Sequence, residues 1–459
     1  MRAFVLAGTH SGCGKTTLTL GLLAALKKKG LTVQPFKVGP DFIDTGLHRL
    51  ATGRVSRNLD LWMCGEAYVH SCFHRHSSNS DVAVIEGVMG LYDGDPNTAT
   101  LAASLGLPVI LVVDAYGMAE SAGPLVKGFR DWSDSSRGAS ATLGGVIFNR
   151  VASERHFDRL SRSVRDVPVL GYLPRDLRFE IPHRHLGLVT AEEQPISMDG
   201  FERLAATVLE HIDVDLLLES CRLSSLAPER KGEVSPATTA SRPAHPVRVA
   251  VALDQAFCFY YRDNLDLLES SGAEIVPFSP LSDAALPGSI DAVYLGGGYP
   301  ELHAAQLASN QSMRTSLKEW ALGGGPVYGE CGGFMYLCRA LHDFEGRVFD
   351  MAGVFPFDTE MVKGRAHLGY RQVDFVADCP LGRASQAARG HEFHYSRVVE
   401  PKSGGVGSAY RARSASGEDL GAEGFRFDNV LGSYTHIHFG SNPAIAGDFI
   451  AFARDRRFS

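Results

Sequence analysis

Residues 2–28 read RAFVLAGTHSGCGKTTLTLGLLAALKK: an apolar run, a loop of small residues, and a second apolar stretch with helical spacing. That order constrains the fold more than anything else in the chain. A buried strand that breaks into glycines and then opens a helix at Lys15-Thr16 is the setting of a phosphate-binding loop. Gly12 and Gly14 let the backbone wrap close to oxygens, and the helix N-terminus adds partial positive charge. Lys15 then reaches the β- and γ-phosphates, Thr16 ligates magnesium, and Thr17 is a further nucleotide contact. One position departs from the rule. The usual spacing G-x-x-x-x-G-K-[ST] puts a glycine at 9, where this chain has Thr9.

The run is the first of a series. FVLAG, TVQPFKV, DVAVIEG, PVILVVD, LGGVIFN and VPVLGYL alternate with helical patterns. Strands this apolar suit burial on both sides, which predicts a parallel sheet with helices on both faces. Residues 224–246 (SSLAPERKGEVSPATTASRPAHP) lack apolar periodicity and are rich in Ser, Pro, Ala and Thr, the composition of a linker. A second series begins with VRVAVAL, EIVPFSP, DAVYLGGG and PVYGECGG, and later strands are expected around EFHYSRVV and GSYTHIHF. The chain is therefore read as two α/β domains, 1–223 and 247–459, joined by 224–246. Bulk properties exclude some roles. A net charge of −7 is wrong for a general nucleic-acid binder, which needs a basic face. No apolar run approaches ~18 residues, so no membrane span is expected. Eight cysteines without a CxxC pair fit a reducing compartment, and the expected location is the cytoplasm.

Acidic residues collect where the predicted strands end. KVGPDFIDTG places Asp41 and Asp44 just past TVQPFKV, and DVAVIEGVMGLYDG puts Glu86 at the end of its strand. Open α/β sheets bind ligands at such ends, and with Thr16 these carboxylates are candidate magnesium ligands. Each alone could equally cap a helix or a turn. Asn149, ending LGGVIFN, either reads an adenine edge or forms a turn. HSCFHRH (70–76) crowds histidines and a cysteine, but its spacing matches no usual metal pattern and suits an exposed helical face better. Arg184 and His185 in IPHRHLGL, with Arg175 and Arg178, could line a basic rim for an anionic substrate.

The second domain offers a nucleophile. GGGPVYGECGGFMYL sets Cys331 at a sharp turn between a strand and an apolar helix, with Gly332 and Gly333 permitting a strained backbone. The helix N-terminus is expected to lower the thiol pKa, and the Gly332 amide to face a developing oxyanion. Gly297 and Gly298 in YLGGGYPE are candidates for the second oxyanion donor. The base should be a histidine distant in sequence. GSYTHIHFGSNP supplies His436 and His438; residues i and i+2 of a strand share a face, so periodicity does not choose between them.

Aligned at the lysine, THSGCGKT resembles the variant loops of dethiobiotin synthetase and of the partition-type ATPases, whose second lysine falls here on His10. GECGG with a later SYTHIHF resembles the class I glutamine amidotransferases. Their G-T-Y-x-H motif is matched by Gly432-Ser433-Tyr434-Thr435-His436, with Ser for Thr. The resemblance gives His436 the base role; many of those glutaminases carry a glutamate two residues on, where this chain has His438. Taken in order, GTHSGCGKTTLTLGLLAAL, KVGPDFIDTGLH, VIEGVMGLYDG, PHRHLGL, YLGGGYPEL, GECGGFMYL, GHEFHYS and SYTHIHFGSNP resemble the cobyrinic acid a,c-diamide synthase family over essentially the whole chain.

That resemblance implies a dethiobiotin-synthetase-like phosphate-loop domain followed by a class I glutaminase α/β domain. It implies ATP and Mg²⁺ as cofactors, and glutamine, ATP and a corrinoid polycarboxylate as small-molecule substrates. Glutamine would be hydrolysed at Cys331, and the ammonia would displace phosphate from acyl phosphates formed on the a and c acetates of a corrin ring. His391 and Glu392 in GHEFHYS would contact the macrocycle, or else belong to a plain strand. The dethiobiotin-synthetase likeness also suggests a homodimer. Within the same chemistry the ring could be hydrogenobyrinic acid or nickel-sirohydrochlorin, since no residue reads the ring or its metal. A partition-type ATPase switch would need a lysine at 10 and has no use for Cys331.

Overall fold

A computed structural model describes residues 1–132, 141–177, 179, 196–222, 245–364, 366–399 and 405–455. The chain separates into two compact units, Met1–Glu233 and Val234–Ser459. The expected linker 224–246 lies outside the described residues except for its last two, and so do Arg178, Arg184 and His185. Among the described residues no helix is long and apolar enough to cross a membrane.

The first unit is built on β1 (Arg2–Gly8), β2 (Val33–Val38), β3 (Arg57–Leu59), β4 (Val82–Gly90), β5 (Val109–Asp114), β6 (Leu143–Val151) and β7 (Val169–Pro174). All run parallel, in the order β3-β2-β4-β1-β5-β6-β7. All but β3 are predicted runs; β3 is too short to carry a pattern. The helices are α1 (Lys15–Lys28), α2 (Ile43–Thr52), α3 (Leu61–Ser77), α4 (Thr98–Leu105), α5 (Ala122–Asp131), α6 (Glu154–Ser163), α7 (Met198–His211) and α8 (Val214–Ser220).

Alternate residues of each strand bury opposite faces. Phe4, Leu6, Val84, Ile110 and Val112 share one core with Leu18, Leu22 and Leu26 of α1 and Leu204 and Val208 of α7. Their neighbours Val5, Ile85, Leu111 and Val113 are equally buried on the other face, where Phe36 meets Phe73 of α3 at 5.3 Å between ring centroids. Such burial is worth roughly 25 cal/mol per Å² of apolar surface. HSCFHRH lies on α3, but not as an exposed face: His70 and Cys72 turn inward, and His70 bonds Ser104 at 2.8 Å. β2 and β5 lie on opposite sides of β1, so the connection direction reverses there, opening the crevice where such sheets bind ligands.

The second unit begins with the predicted runs β8 (Val247–Ala252), β9 (Ala273–Phe278), β10 (Ala292–Leu295) and β11 (Val327–Glu330). With them come α9 (Arg262–Ser270), α10 (Ala304–Ser309), α11 (Gln311–Leu322) and α12 (Gly332–Leu337). Then follow β12 (Ala340–His342), β13 (Val348–Asp350), β14 (Asp358–Met361), β15 (His367–Phe375), β16 (Ala387–His394) and β17 (Ser396–Val399). The last strands are β18 (Gly407–Ser414), β19 (Asp419–Phe427), β20 (Val430–Ser433) and β21 (His436–Ile437), before α13 (Ala444–Asp455).

One mixed sheet has the order β21-β16-β15-β18-β19-β20-β11-β10-β8-β9, and β13-β12-β14-β17 form a smaller one. β9, β8, β10, β11 and β20 are parallel neighbours, and the rest of the large sheet is antiparallel. EFHYSRVV divides between β16 and β17, and GSYTHIHF between β20 and β21. The pairing that matters most is β11 with β20, which sets Glu330 opposite Ser433.

Gly171 on β7 shows how closely the last helices pack on the first sheet. Its φ is 138°, and a Cβ there would lie 2.2 Å from the His211 carbonyl oxygen and 2.7 Å from Ile212 Cα. Gly171→Ala is therefore expected to lower the unfolding free energy by about 2–4 kcal/mol, read by chemical denaturation. A loss below about 0.5 kcal/mol would show that the α7–α8 backbone gives way freely.

Candidate active sites

Gly8 ends β1, and the chain turns through a loop to reach α1 at Lys15. Gly12 and Gly14 have φ of 82° and 96°, the left-handed region that favours glycine. The glycine that the usual spacing places at 9 is required one residue earlier. A Cβ on Gly8 would lie 2.2 Å from Cys13 Sγ. Position 9 itself does not need a glycine: Thr9 has no positive φ, and its N–H donates to the Val112 carbonyl at 3.1 Å. Asn149 braces the loop from β6: its Nδ2 donates to the Cys13 carbonyl at 2.9 Å, and a Cβ on Gly14 would meet that amide at 2.0 Å. Arg150, next along, donates to Asp114 at 2.9 Å and reaches the Gly12 carbonyl at 3.4 Å.

Lys15 Nζ lies back over the loop, donating to the Met89 and His10 carbonyls. Thr16 Oγ1 donates to Glu86 Oε1 at 2.7 Å. Behind them is a cation that the motif does not announce. Lys37 on β2 sets Nζ 3.2 Å from Asp44 Oδ2 and 3.5 Å from Glu86 Oε1, and donates to the Gly87 carbonyl at 3.0 Å. His48 Nε2 is 2.7 Å from the other Glu86 oxygen. A lysine inside an apolar strand is the signal for the first, because lysine is almost never fully buried unless paired. The signal for the second is its place four residues after Asp44, on the same helix face. Asp41 accepts the N–H groups of Ile43 and Asp44 at 2.9 and 2.8 Å, so it caps α2 while lining the same cavity. That cavity, about 320 Å³, is walled by Gly12, Lys15, Thr16, Thr17, Lys37, Asp41, Asp44 and Glu86 among others.

The charges in it are unequal. Burial alone would push the Glu86 carboxyl up, but Lys37 and the His48 hydrogen bond outweigh it and bring it down to about 2. Asp44 goes the other way: burial, then the charges of Asp41 and Glu86, push it up to about 7. Burial would lower Lys37, yet Glu86 and Asp44 hold it above its usual range. The set is hard oxygen donors with surplus negative charge. Thr16, Asp41, Asp44 and Glu86 present such oxygens to the cavity, the donor type that Mg²⁺ takes.

In the second unit Cys331 stands at φ 45° and ψ −101° between β11 and α12, a strained conformation for any side chain. Its N–H donates to the Ser433 carbonyl at 2.7 Å, and its thiol points to the Phe393 carbonyl 3.9 Å away. Glycines bring the neighbouring turn against it. A Cβ on Gly332 would meet Gly298 N and O at 3.0 Å, and one on Gly333 would meet the Leu295 carbonyl at 2.3 Å. The Gly298 amide thus lies beside Gly332, whereas the Gly297 N–H donates to the Phe259 carbonyl at 3.2 Å. Gly297 leaves room for an imidazole, since a Cβ there would be 2.2 Å from His436 Cε1.

Register separates the two histidines. β21 holds only His436 and Ile437, and His436 is paired across the sheet with His391. Their rings stack at 4.8 Å, and His391 Nδ1 is 2.7 Å from the Tyr261 hydroxyl. His438 has left the strand: its Nδ1 accepts the Gly440 N–H at 3.0 Å, and its ring packs on Tyr261 at 4.5 Å. Glu392 pairs with Arg371 at 3.0 Å and accepts from Thr435 Oγ1 at 3.2 Å. His391 and Glu392 are buried. The expected lowering of the thiol pKa is overturned. α12 is only six residues long, and burial, reinforced by the charge of Glu301, pushes Cys331 above its usual range. Burial also brings His436 down to about 3. Both shifts favour the uncharged forms of the thiol and the imidazole.

Known proteins are similar along the same two halves. Residues 4–189 match the CobQ/CobB/MinD/ParA nucleotide binding domain, and residues 248–444 the CobB/CobQ-like glutamine amidotransferase domain. The cobyrinate a,c-diamide synthase of Syntrophotalea carbinolica is 44% identical over 98% of this chain and 98% of its own. That of Salmonella typhimurium is 42% identical with the same coverage. That of Listeria innocua is 41% identical over 97% of this chain and 98% of its own.

The neutral thiol has a measurable consequence. Without glutamine, the rate of Cys331 alkylation by iodoacetamide should climb about tenfold per pH unit from 7 to 9 and show no plateau there. A plateau below pH 8, followed at the modified peptide, would mean that the resting thiol is ionised.

Proposed function

The chain belongs to the cobyrinate a,c-diamide synthase family, and on that premise we propose that it amidates the a and c acetate carboxylates of cobyrinate, with glutamine as nitrogen donor and ATP to activate each carboxylate. The observation that carries this reading is the similarity along 98% of both chains. The geometry of the two sites supports it, because each offers the groups that one half of the reaction needs.

Cys331 is the nucleophile in this reading. As its sulfur attacks the side-chain amide carbon of glutamine, the thiol proton passes to His436, and the amides of Gly298 and Gly332 face the oxyanion. His436 then gives the proton to the departing nitrogen, which leaves as ammonia, and a thioester remains. Water, deprotonated by the same imidazole, hydrolyses it to glutamate and restores the thiol. Neutral resting partners support this order of proton transfers. His391, stacked on the His436 ring, and Glu392, which accepts from Thr435, belong to the glutamine half of the reaction, and His438 shapes the turn behind His436.

In the first unit a substrate carboxylate oxygen attacks the γ-phosphorus of ATP, giving an acyl phosphate and ADP. Ammonia then displaces phosphate and leaves the amide. Gly12, Gly14 and Thr17 line the phosphate cradle, Asn149 holds it open, and Lys15 and Lys37 face the phosphoryl oxygens. Mg²⁺, when held by Thr16, Asp41, Asp44 and Glu86, neutralises charge on the phosphoryl group being transferred. The reading takes the cytoplasm as the compartment and a homodimer as the assembly.

Mass spectrometry of the product from cobyrinic acid, ATP, Mg²⁺ and glutamine tests the proposal. Two amidations are expected, with one ADP released for each. Cys331→Ala should lose the glutamine-driven product and keep the ammonia-driven one. No amide from either nitrogen source, with ATP untouched, would overturn it.

A further inference from the structure

The segment that carries His436 is held by carboxyl groups from separate strands. Glu423 on β19 accepts from Ser433 Oγ and from the Tyr434 N–H, both at 2.8 Å. Glu392 on β16 accepts from Thr435 Oγ1 at 3.2 Å. Glu330, the last residue of β11, accepts the Ile437 N–H at 3.2 Å. Each buried carboxyl thus grips a different part of Ser433–Ile437, on both sides of His436.

Glu330 differs from the other two in its position. It is adjacent to Cys331 in the chain and 1% exposed. Its other donors are the hydroxyls of Tyr328 at 2.6 Å and Tyr294 at 2.9 Å, whose rings stack at 5.1 Å on neighbouring strands. None of its three donors is a cation. Burial pushes the carboxyl up to about 7. A lone buried carboxyl is costly where an apolar side chain would fill the same space, so its presence needs a cause beyond packing. Geometry supplies one. Through its backbone Glu330 is fixed to the cysteine turn, and through its carboxyl it is fixed to the residue after His436.

We infer that Glu330 is a positioning residue for glutamine hydrolysis: its carboxyl, steadied by Tyr294 and Tyr328, locks the histidine strand to the cysteine turn. This rests on Cys331 and His436 being the nucleophile and the base. The thiol and imidazole belong to different strand ends, and proton transfer between them tolerates little slack.

Steady-state kinetics on Glu330→Gln, with Tyr328→Phe as a milder variant, tests the inference. Glu330→Gln should lower kcat for glutamine hydrolysis by about tenfold to a hundredfold, with KM for glutamine unchanged. Tyr328→Phe should lower kcat by a few-fold in the same pattern. Ammonia-driven amidation by both proteins reports whether the chain is folded. An unchanged kcat in both variants, or a parallel loss of the ammonia-driven reaction in both, would overturn the positioning role. Cys331→Ala is run alongside. If it still hydrolyses glutamine, the assignment of the nucleophile has failed, a result distinct from an unaffected Glu330 variant.

Discussion

In a parallel sheet covered on both faces, a polar side chain that must meet a ligand has few places to stand other than the strand ends. Both units obey that constraint. In the first, β1 delivers the phosphate loop, β2 delivers Lys37 and then Asp41 and Asp44, and β4 delivers Glu86, all at one edge. In the second, β10 leads into Gly296–Gly298, β11 into Cys331, and β20 toward His436. Sheet register therefore fixes the active groups before any of their own contacts do. Ser433 stands opposite Glu330, and the Cys331 N–H then bonds the Ser433 carbonyl.

The two sites handle the energetic penalty of burying ionisable groups differently. Removing a charge from water costs several kcal/mol per ion unless a partner compensates. The first unit compensates with alternation: Lys37 lies between Asp44 and Glu86, and Glu86 is also bonded by His48 and Thr16. Asp44, although paired with Lys37, is still pushed up to about 7 by burial and by the charges of Asp41 and Glu86. In the second unit burial favours the uncharged forms of Cys331 and His436. Phosphoryl transfer brings a highly charged ligand, and glutamine does not, so each arrangement suits its reaction.

Much of this was legible in the sequence, for a reason that can be named. Lys15, Thr16 and Cys331 follow short strands, and Glu86 comes straight after the apolar run Val82–Ile85 although β4 continues past it to Gly90; local pattern identifies such places well. What local pattern misses is anything decided by distant residues. Lys37 reads as one polar residue inside an apolar run until Asp44 and Glu86 are placed around it. Thr9 looks like a defect until Gly8 is found under Cys13 Sγ. His436 and His438 are equivalent by spacing, and only the end of β21 after Ile437 separates them. The thiol pKa was misjudged because a helix start is visible in sequence while the burial that outweighs it is not. The antiparallel strands β15, β16, β18 and β19 are half-exposed and polar, which hides them from any test based on apolar runs.

The raised pKa of Cys331 also bears on the enzyme's survival between turnovers. Peroxide and disulfides react with thiolates far faster than with thiols, and reach buried sulfur poorly. A thiol that is 5% exposed and biased by burial towards its protonated form is shielded from such oxidants. On the proposed reaction the sulfur need ionise only as it attacks glutamine, so reactivity and durability are not traded against each other.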